Sequence, residues 1–510
     1  MTAPRRRFLE LLGTAAIGGL AGCSSPTGPT TPGSTATPSE TPTVTPTATL
    51  TTTQRPTTGT PGSPSTATTT TSATTPTTAT ATPTTTRTAT PTPPPTTPTP
   101  TPTPEPPDPA QIAKLTARDG AAEDRFGAAV DLSADGTTAL VGAFTHDGPR
   151  GRQSGSAYVF VREGDSWAQQ AKLFAEDGGT GDYFGNSVAL SGDGQTALLG
   201  ASDDENPHGP LCGSAYVFAR AGETWSQRAK LVAADGGPED RFGTAVALSG
   251  DGETALVSAW NDENPYGDGG GSAYVFTREE ETWAQRDKLV AGDGGPEDRF
   301  GASTALSNDG TVALVGASRD EDPNGANAGS AYLFSRDGDS WPQVTKLVPA
   351  DGDAGDYFGT AAALSGDGAM ALVGARADEH PNGERAGSAY VFARRSGRWA
   401  QRTKLVDEEG DALDRFGFDV ALASDGTRAL VGALYDEGPD GGGTGSAFLY
   451  SNGPDGWSQV AKLAADDQAD GDNLGVSVAL AGDGETALAG AWLDDRATEV
   501  SVGSAYVFSI

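Results

Sequence analysis

The chain has 510 residues, with 68 Asp and Glu against 34 Lys and Arg, and a formal net charge of −34. So acidic a surface repels nucleic acid and anionic lipid headgroups, which argues against both as partners. It has two Cys, at positions 23 and 212, which leaves no internal disulfide possible beyond the N-terminal region.

Arg5-Arg6-Arg7-Phe8-Leu9 precedes an apolar run from Leu11 to Leu20 that is too short to span a bilayer. The Arg-Arg-x-Phe-Leu pattern resembles a twin-arginine export signal. Leu20-Ala21-Gly22-Cys23 resembles the lipobox at which a signal is cleaved and the Cys lipidated. Residues 1–22 are therefore expected to be a lipoprotein signal peptide, with Cys23 as the lipid anchor. An ordinary secretory signal with a chance Cys is the alternative.

From Ser24 to Pro107 the chain is almost entirely Thr, Pro, Ser, Ala and Gly. Such a stretch buries too little apolar surface to offset the entropy of ordering, so residues 23–107 are expected to be a disordered Thr/Pro-rich stalk. At ~3.1 Å per residue in polyproline II, it reaches about 260 Å at most. Its Thr density suits O-glycosylation, and the chain has no Asn-x-Ser/Thr sequon. The stalk is neutral and the signal carries +2, so residues 108–510 carry −36.

Those residues are organised by one unit, seen at Phe242 to Leu289. Phe-Gly opens it at Phe126, Phe184, Phe242, Phe300, Phe358 and Phe416, with Leu474 in the last copy, each start 58 residues after the one before. Gly-Ser-Ala keeps the same beat from Gly155 to Gly503. Within the unit, FGTAVALS and TALVSA are short apolar runs joined by Gly250-Asp251-Gly252, a strong hairpin signal. SAYVFTR alternates, with Tyr274 and Phe276 on one face, and a charged turn leads to WAQRDKL. Four antiparallel strands per 58-residue repeat, in seven copies, predict an all-β, seven-bladed β-propeller over residues 108–510. The frame begins with a fourth strand, Gln111 to Leu115, and ends with a third, Ser504 to Phe508. The N-terminal strand is thus expected to complete the last blade and close the ring.

The Phe-Gly openings and the Gly-Ala pairs at Gly142, Gly200, Gly316, Gly374, Gly432 and Gly490 resemble FG-GAP repeats, the blades of integrin α-subunit heads and of many microbial surface proteins. The Pro of Gly-Ala-Pro is absent from all seven copies, and Ser258 replaces Gly in the third. In the integrin-type family the first hairpin often carries a run of Asp that cages Ca²⁺. Here it has shrunk to Ser191–Thr196 with one Asp, so no calcium ligands carry over. The acidic, Lys-poor composition resembles that of haloarchaeal proteins. All seven Lys, from Lys114 to Lys462, stand in the Lys-Leu of the fourth strand.

Three columns are candidates for chemistry. Trp167, Trp225, Trp283, Trp341, Trp399 and Trp457 recur in the outer strand and are expected to pack. Asp124, Asp182, Asp240, Asp298, Asp356, Asp414 and Asp472 stand two residues before each repeat opening. They are expected to accept backbone N–H groups in a turn, with a metal cation such as Ca²⁺ as the weaker reading. The loop between the second and third strands changes most between copies. It holds the ligand-face candidates Trp260, Tyr266, Arg319, Arg376, Tyr435 and Trp492, with Trp260, Tyr266, Arg319 and Arg376 expected in one exposed patch. His146, His208 and His380 lie in the same loops and are expected to be solvated. No GxSxG, HExxH or P-loop occurs, so no enzyme activity and no cofactor are expected.

These features point to an exported single propeller held at the outer face of the cell membrane by its lipid anchor, monomeric, and recognising a surface protein or glycan through one loop face. A structural envelope component without a specific ligand is the alternative, followed by an extracellular hydrolase or lyase.

Overall fold

The computed structural model describes residues 108–510, apart from residues 264, 438–441 and 496–499. The expected signal peptide, Cys23 and the stalk lie outside the described residues. Among the described residues no helix is long and apolar enough to cross a membrane.

The chain folds into seven four-stranded antiparallel sheets, the blades of a propeller. In blade 3 the inner strand Phe242–Leu248 pairs with Thr254–Ala259, then Ser272–Glu279, then the outer strand Thr282–Leu289. The first hairpin is closed from within its own sequence. Gly252 takes a φ of 72°, Ser249 Oγ donates to Asp251, and the Thr254 N–H donates to Ser249 Oγ at 2.9 Å. Asp193 does the same work in blade 2, accepting Ser191 Oγ at 2.7 Å and the Gln195 N–H at 3.0 Å.

The core lies between blades. Strand alternation turns Tyr274 and Phe276 towards Leu198 and Val217 of blade 2, and turns Leu256 and Val275 towards Val315 and Tyr332 of blade 4. The Phe of each opening is the hub of this packing: the Phe242 ring sits 5.6 Å from Tyr274 and 6.0 Å from Phe276. All six outer-strand Trp pack into these clusters, and Trp341 is the most buried of them at 4% exposure.

Two glycine columns let neighbouring blades approach. A Cβ on Gly155, at φ 79°, would lie 2.1 Å from the Phe184 carbonyl oxygen, and one on Gly200 would lie 1.9 Å from that of Gly243. The Gly of Gly-Ala thus faces the Gly of the next Phe-Gly, which gives the repeat its two signatures. Ser258, where blade 3 departs, bonds the Ala245 N–H through Oγ at 2.9 Å.

Ala110–Leu115 pairs antiparallel with Ser504–Ser509 and supplies the outer strand of blade 7. The register is that of the unbroken blades: Lys114 opposes Tyr506 as Lys288 opposes Tyr274, with an irregularity in the same place. At the hairpin end of the central channel a second closure appears. The backbone N–H groups of Ala134, Gly192, Gly250, Asn308, Gly366, Ser424 and Gly482 each donate to the next of these carbonyls, at 2.8 to 3.1 Å, and Gly482 returns to Ala134.

Candidate functional site at the channel mouth

The opposite end of the channel is built by the turn before each Phe-Gly. Asp124, Asp182, Asp240, Asp298, Asp356, Asp414 and Asp472 are buried, and each accepts the N–H of the residue three before it, at 2.5 to 2.7 Å. The turn reading of these carboxylates therefore describes what they do. They sit in seven separate turns, one per blade.

Each Asp is followed by a residue that the sequence reading passed over: Arg125, Tyr183, Arg241, Arg299, Tyr357, Arg415 and Asn473. All seven are held at φ between 55° and 62°. Left-handed backbone on a residue with a bulky side chain costs on the order of 1–3 kcal/mol and persists where the surrounding structure over-determines it. Here it aims a ring of Arg and Tyr at the mouth. The only trace in the sequence is the Asp-Arg/Tyr-Phe-Gly spelling of six openings.

In six blades one of the two residues after the Gly-Ala or Ser-Ala pair meets this ring. The Arg299 guanidinium lies 4.4 Å over the Trp260 ring, Arg376 lies 5.0 Å over Tyr357, and Arg415 lies 4.9 Å over Tyr435. Arg125 covers both Phe144, at 5.6 Å, and Trp492, at 5.1 Å. Arg241 forms an ion pair with Asp203. Below the ring a cavity of about 720 Å³ descends the channel between the inner strands, lined near its top by Trp260, Tyr183, Phe418 and Trp492. That size falls among small-ligand sites of roughly 300–1,000 Å³.

Several expected ligand-face residues are placed differently. Trp260, Arg319 and Arg376 are half-buried rather than exposed, and they share one sector of the rim on blades 3 to 5. Tyr266 is not with them. Its hydroxyl donates to the Ala291 carbonyl and its ring packs over Gly294, so it ties its loop to the following turn. Trp492 is buried, at 6% exposure, in an apolar cluster with Leu434, Val476, Phe144 and Tyr435. Side chains of blades 6, 7 and 1 meet in this cluster, which covers an indole that the sequence alone leaves in water. Among the described residues its Nε1 has no hydrogen-bond partner.

Below the rim, the outer flank of this face is a repeated ion cluster. In blade 5, Asp378 accepts Tyr390 Oη at 2.6 Å and pairs with Lys404 at 2.7 Å, while Asp351 pairs with the same Lys at 2.8 Å. The seven Lys are thus counter-ions placed once per blade. Burial alone would raise the carboxyl of Asp351, but the Lys404 hydrogen bond and charge outweigh it and hold the group below its ordinary range. Apart from Asp124, which has His146 Nε2 at 3.9 Å, the turn carboxylates have no ion-pair partner among the described residues. Burial, reinforced by the neighbouring loop Asp, pushes Asp240, Asp298, Asp356 and Asp472 up to about 6, and Asp414 up to about 7.

Two copies depart from this cluster. In blade 1 His146 stands where the others have a loop Asp, with Nε2 3.0 Å from Lys172 Nζ, and it is 7% exposed. It is therefore not solvated as expected; burial and Lys172 together lower its proton affinity. His208 is half-buried and His380 exposed. In blade 6 Phe448 replaces the Tyr, and Asp407 takes a place that is Ala in most copies. Asp407, Asp414 and Asp436 bring ligand atoms within 4.8 Å of one another, the group among the described residues with spacing to hold a metal ion.

Asp131 and Asp419 were also missed, although they are the only carboxylates in any inner strand. Both face the channel. Asp131 accepts the N–H of Leu132 at 2.8 Å and of Leu190 at 2.7 Å; Asp419 accepts Val420 at 2.9 Å and Val478 at 2.8 Å. Each one staples its blade to the next. Burial pushes them up to about 7 and about 6.

A family model for the FG-GAP repeat matches residues 109–160, 167–218, 225–276, 283–334, 341–392, 399–450 and 457–508. The chain belongs to the FG-GAP repeat family. Each match begins at the outer-strand Trp column and ends at the third strand, so the family's repeat is offset from the blade in the way that the closing strand requires. No curated protein matches this FG-GAP chain significantly.

Proposed function

We propose that this FG-GAP propeller is a binding module that recognises a cell-surface protein or glycan at the channel mouth, held outside the cell on its stalk by lipidated Cys23. The observation that carries the reading is the ring of strained Arg and Tyr residues on a fixed glycine frame, paired with loop residues that differ from blade to blade. A rigid scaffold under variable side chains is the arrangement of ligand surfaces grafted on a fold. Half-buried Trp and Arg are the residue types that dominate measured binding energies. The proposal includes no catalytic step, since Asp131 and Asp419 spend their oxygens on backbone N–H groups.

One experiment on intact cells tests both parts. Wild type should partition with membranes and capture its ligand from envelope extract at high salt. Cys23→Ser should be released from membranes or keep an uncleaved signal. Trp260→Ala should stay anchored and lose about 2 kcal/mol of binding, with a melting temperature lowered by no more than a few degrees. Unchanged partitioning of Cys23→Ser refutes the anchor. A destabilised Trp260→Ala propeller that still binds makes Trp260 a packing residue.

A further inference from the structure

We infer that the blade 3 to 5 sector of the mouth binds the acid group of an anionic saccharide, a uronate or a sulfated sugar. The inference rests on the binding reading above and names the ligand class for it.

The rim is a cationic site on an anionic protein. Residues 108–510 carry −36, yet Arg299, Arg319 and Arg376 stand close enough in this sector to disfavour one another's charge. Among the described residues, neither Arg299 nor Arg376 has a carboxylate at ion-pair distance. Arg319 has only Glu297 at 3.9 Å, and that carboxylate is 78% exposed. The Arg319 Nε is buried without a hydrogen-bond partner among the described residues. Uncompensated guanidinium groups held together out of bulk water cost stability unless an anion joins them. Arg376 and Arg299 each lie over an aromatic ring, at 5.0 and 4.4 Å, a contact that restricts the guanidinium and leaves its N–H donors for an anion. A planar fork of N–H donors matches carboxylate and sulfate oxygens in pairs.

The shape favours a sugar over a peptide. The cavity of about 720 Å³ is a compact well behind the rim, and the seven-membered backbone hydrogen-bond ring tightens its far end. An extended peptide needs a groove or a free strand edge, whereas a well takes one or two pyranose rings. Trp260 lines that well beside the cationic sector and offers an apolar wall for a sugar ring to pack against.

The test uses tri-galacturonate, its neutral methyl ester, a sulfated disaccharide and a penta-glutamate peptide, titrated at fixed ionic strength against the full chain. Tri-galacturonate or the sulfated disaccharide should bind. The methyl ester should bind about tenfold or more weaker than its acid. Arg376→Gln and Arg319→Gln should each weaken acid binding about tenfold, while Arg376→Lys loses less and Arg398→Gln, on an exposed hairpin, changes nothing. Circular dichroism separates folding from binding, and Arg319→Gln serves if Arg376→Gln misfolds. Equal binding of acid and ester, unaffected by the Arg variants but lost in Trp260→Ala, overturns the anion assignment and leaves the loop-face reading standing. Tighter binding of penta-glutamate overturns the saccharide class. Binding of none of the four probes overturns the inference, and the capture experiment with envelope extract then decides the broader reading separately.

Discussion

A chain lacking residues 111–117 is expected to melt far below wild type at matched salt. The deletion removes the outer strand of blade 7, and with it Leu115 and Ala117, which are 2% and 3% exposed. It strips Lys114 from Asp467 and Asp494, both at 2.7 Å, and leaves the buried Asp494 without its cation. Removing one partner of a buried pair alone costs about 3–5 kcal/mol, against a total of ~5–15 kcal/mol for a domain. Tyr506 and Phe508 would also lie on an open strand edge, which favours aggregation. Melting followed by circular dichroism checks this; an unchanged midpoint would mean that blade 7 holds together on three strands.

Acidification should stabilise the propeller before it harms it. The turn carboxylates Asp182, Asp240, Asp298, Asp356 and Asp472, at about 6, and Asp414, at about 7, bind protons more tightly folded than unfolded. The stability that their protonated forms contribute is complete below the ordinary carboxyl value near 3.8 and is lost as pH rises through 6 to 7. The Lys-paired carboxylates run the other way. Asp119, Asp177, Asp235, Asp293, Asp351 and Asp467 are held below their ordinary value, so their contribution is present above it and lost in stronger acid. Between the two windows, near pH 5, the melting temperature should exceed that at pH 8 by about 5 °C or more. Asp240→Asn can still accept the Gly237 N–H and should show a smaller drop between those values. A midpoint that is flat or falling from pH 8 to pH 5 would show that the turn carboxylates ionise freely.

The fold was legible because a 58-residue period leaves no freedom in where strands begin, and because the frame starts on a fourth strand and stops on a third. The site was only half legible. Variation after Gly-Ala drew attention to Trp260, Arg319 and Arg376, and the structure brings these three to one sector. What the sequence hid is conformation and convergence. Nothing in Asp-Arg-Phe-Gly announces that the Arg takes a left-handed backbone and turns to the axis, because Arg rarely does so. Trp492 and Phe144 lie 348 residues apart and meet only because the ring closes, their rings 6.4 Å apart, so the burial of Trp492 depends on the circle rather than on its loop. Tyr266 shares its loop with Trp260 but finds a carbonyl in the next turn, a contact that no periodicity reveals.

Which end of the propeller meets the partner can be read by blocking each end in turn. Cys212 is 2% exposed and burial pushes its thiol up to about 11, so a cysteine introduced into the Cys23→Ser chain is the reactive one. Ser202→Cys places a maleimide-polyethylene glycol at the mouth, and Glu485→Cys places it on an exposed hairpin at the opposite end. Capture of the partner from envelope extract at high salt should be lost with the blocked mouth and kept with the blocked hairpin. Capture that survives at residue 202 and fails at residue 485 would contradict a ligand site at the channel mouth.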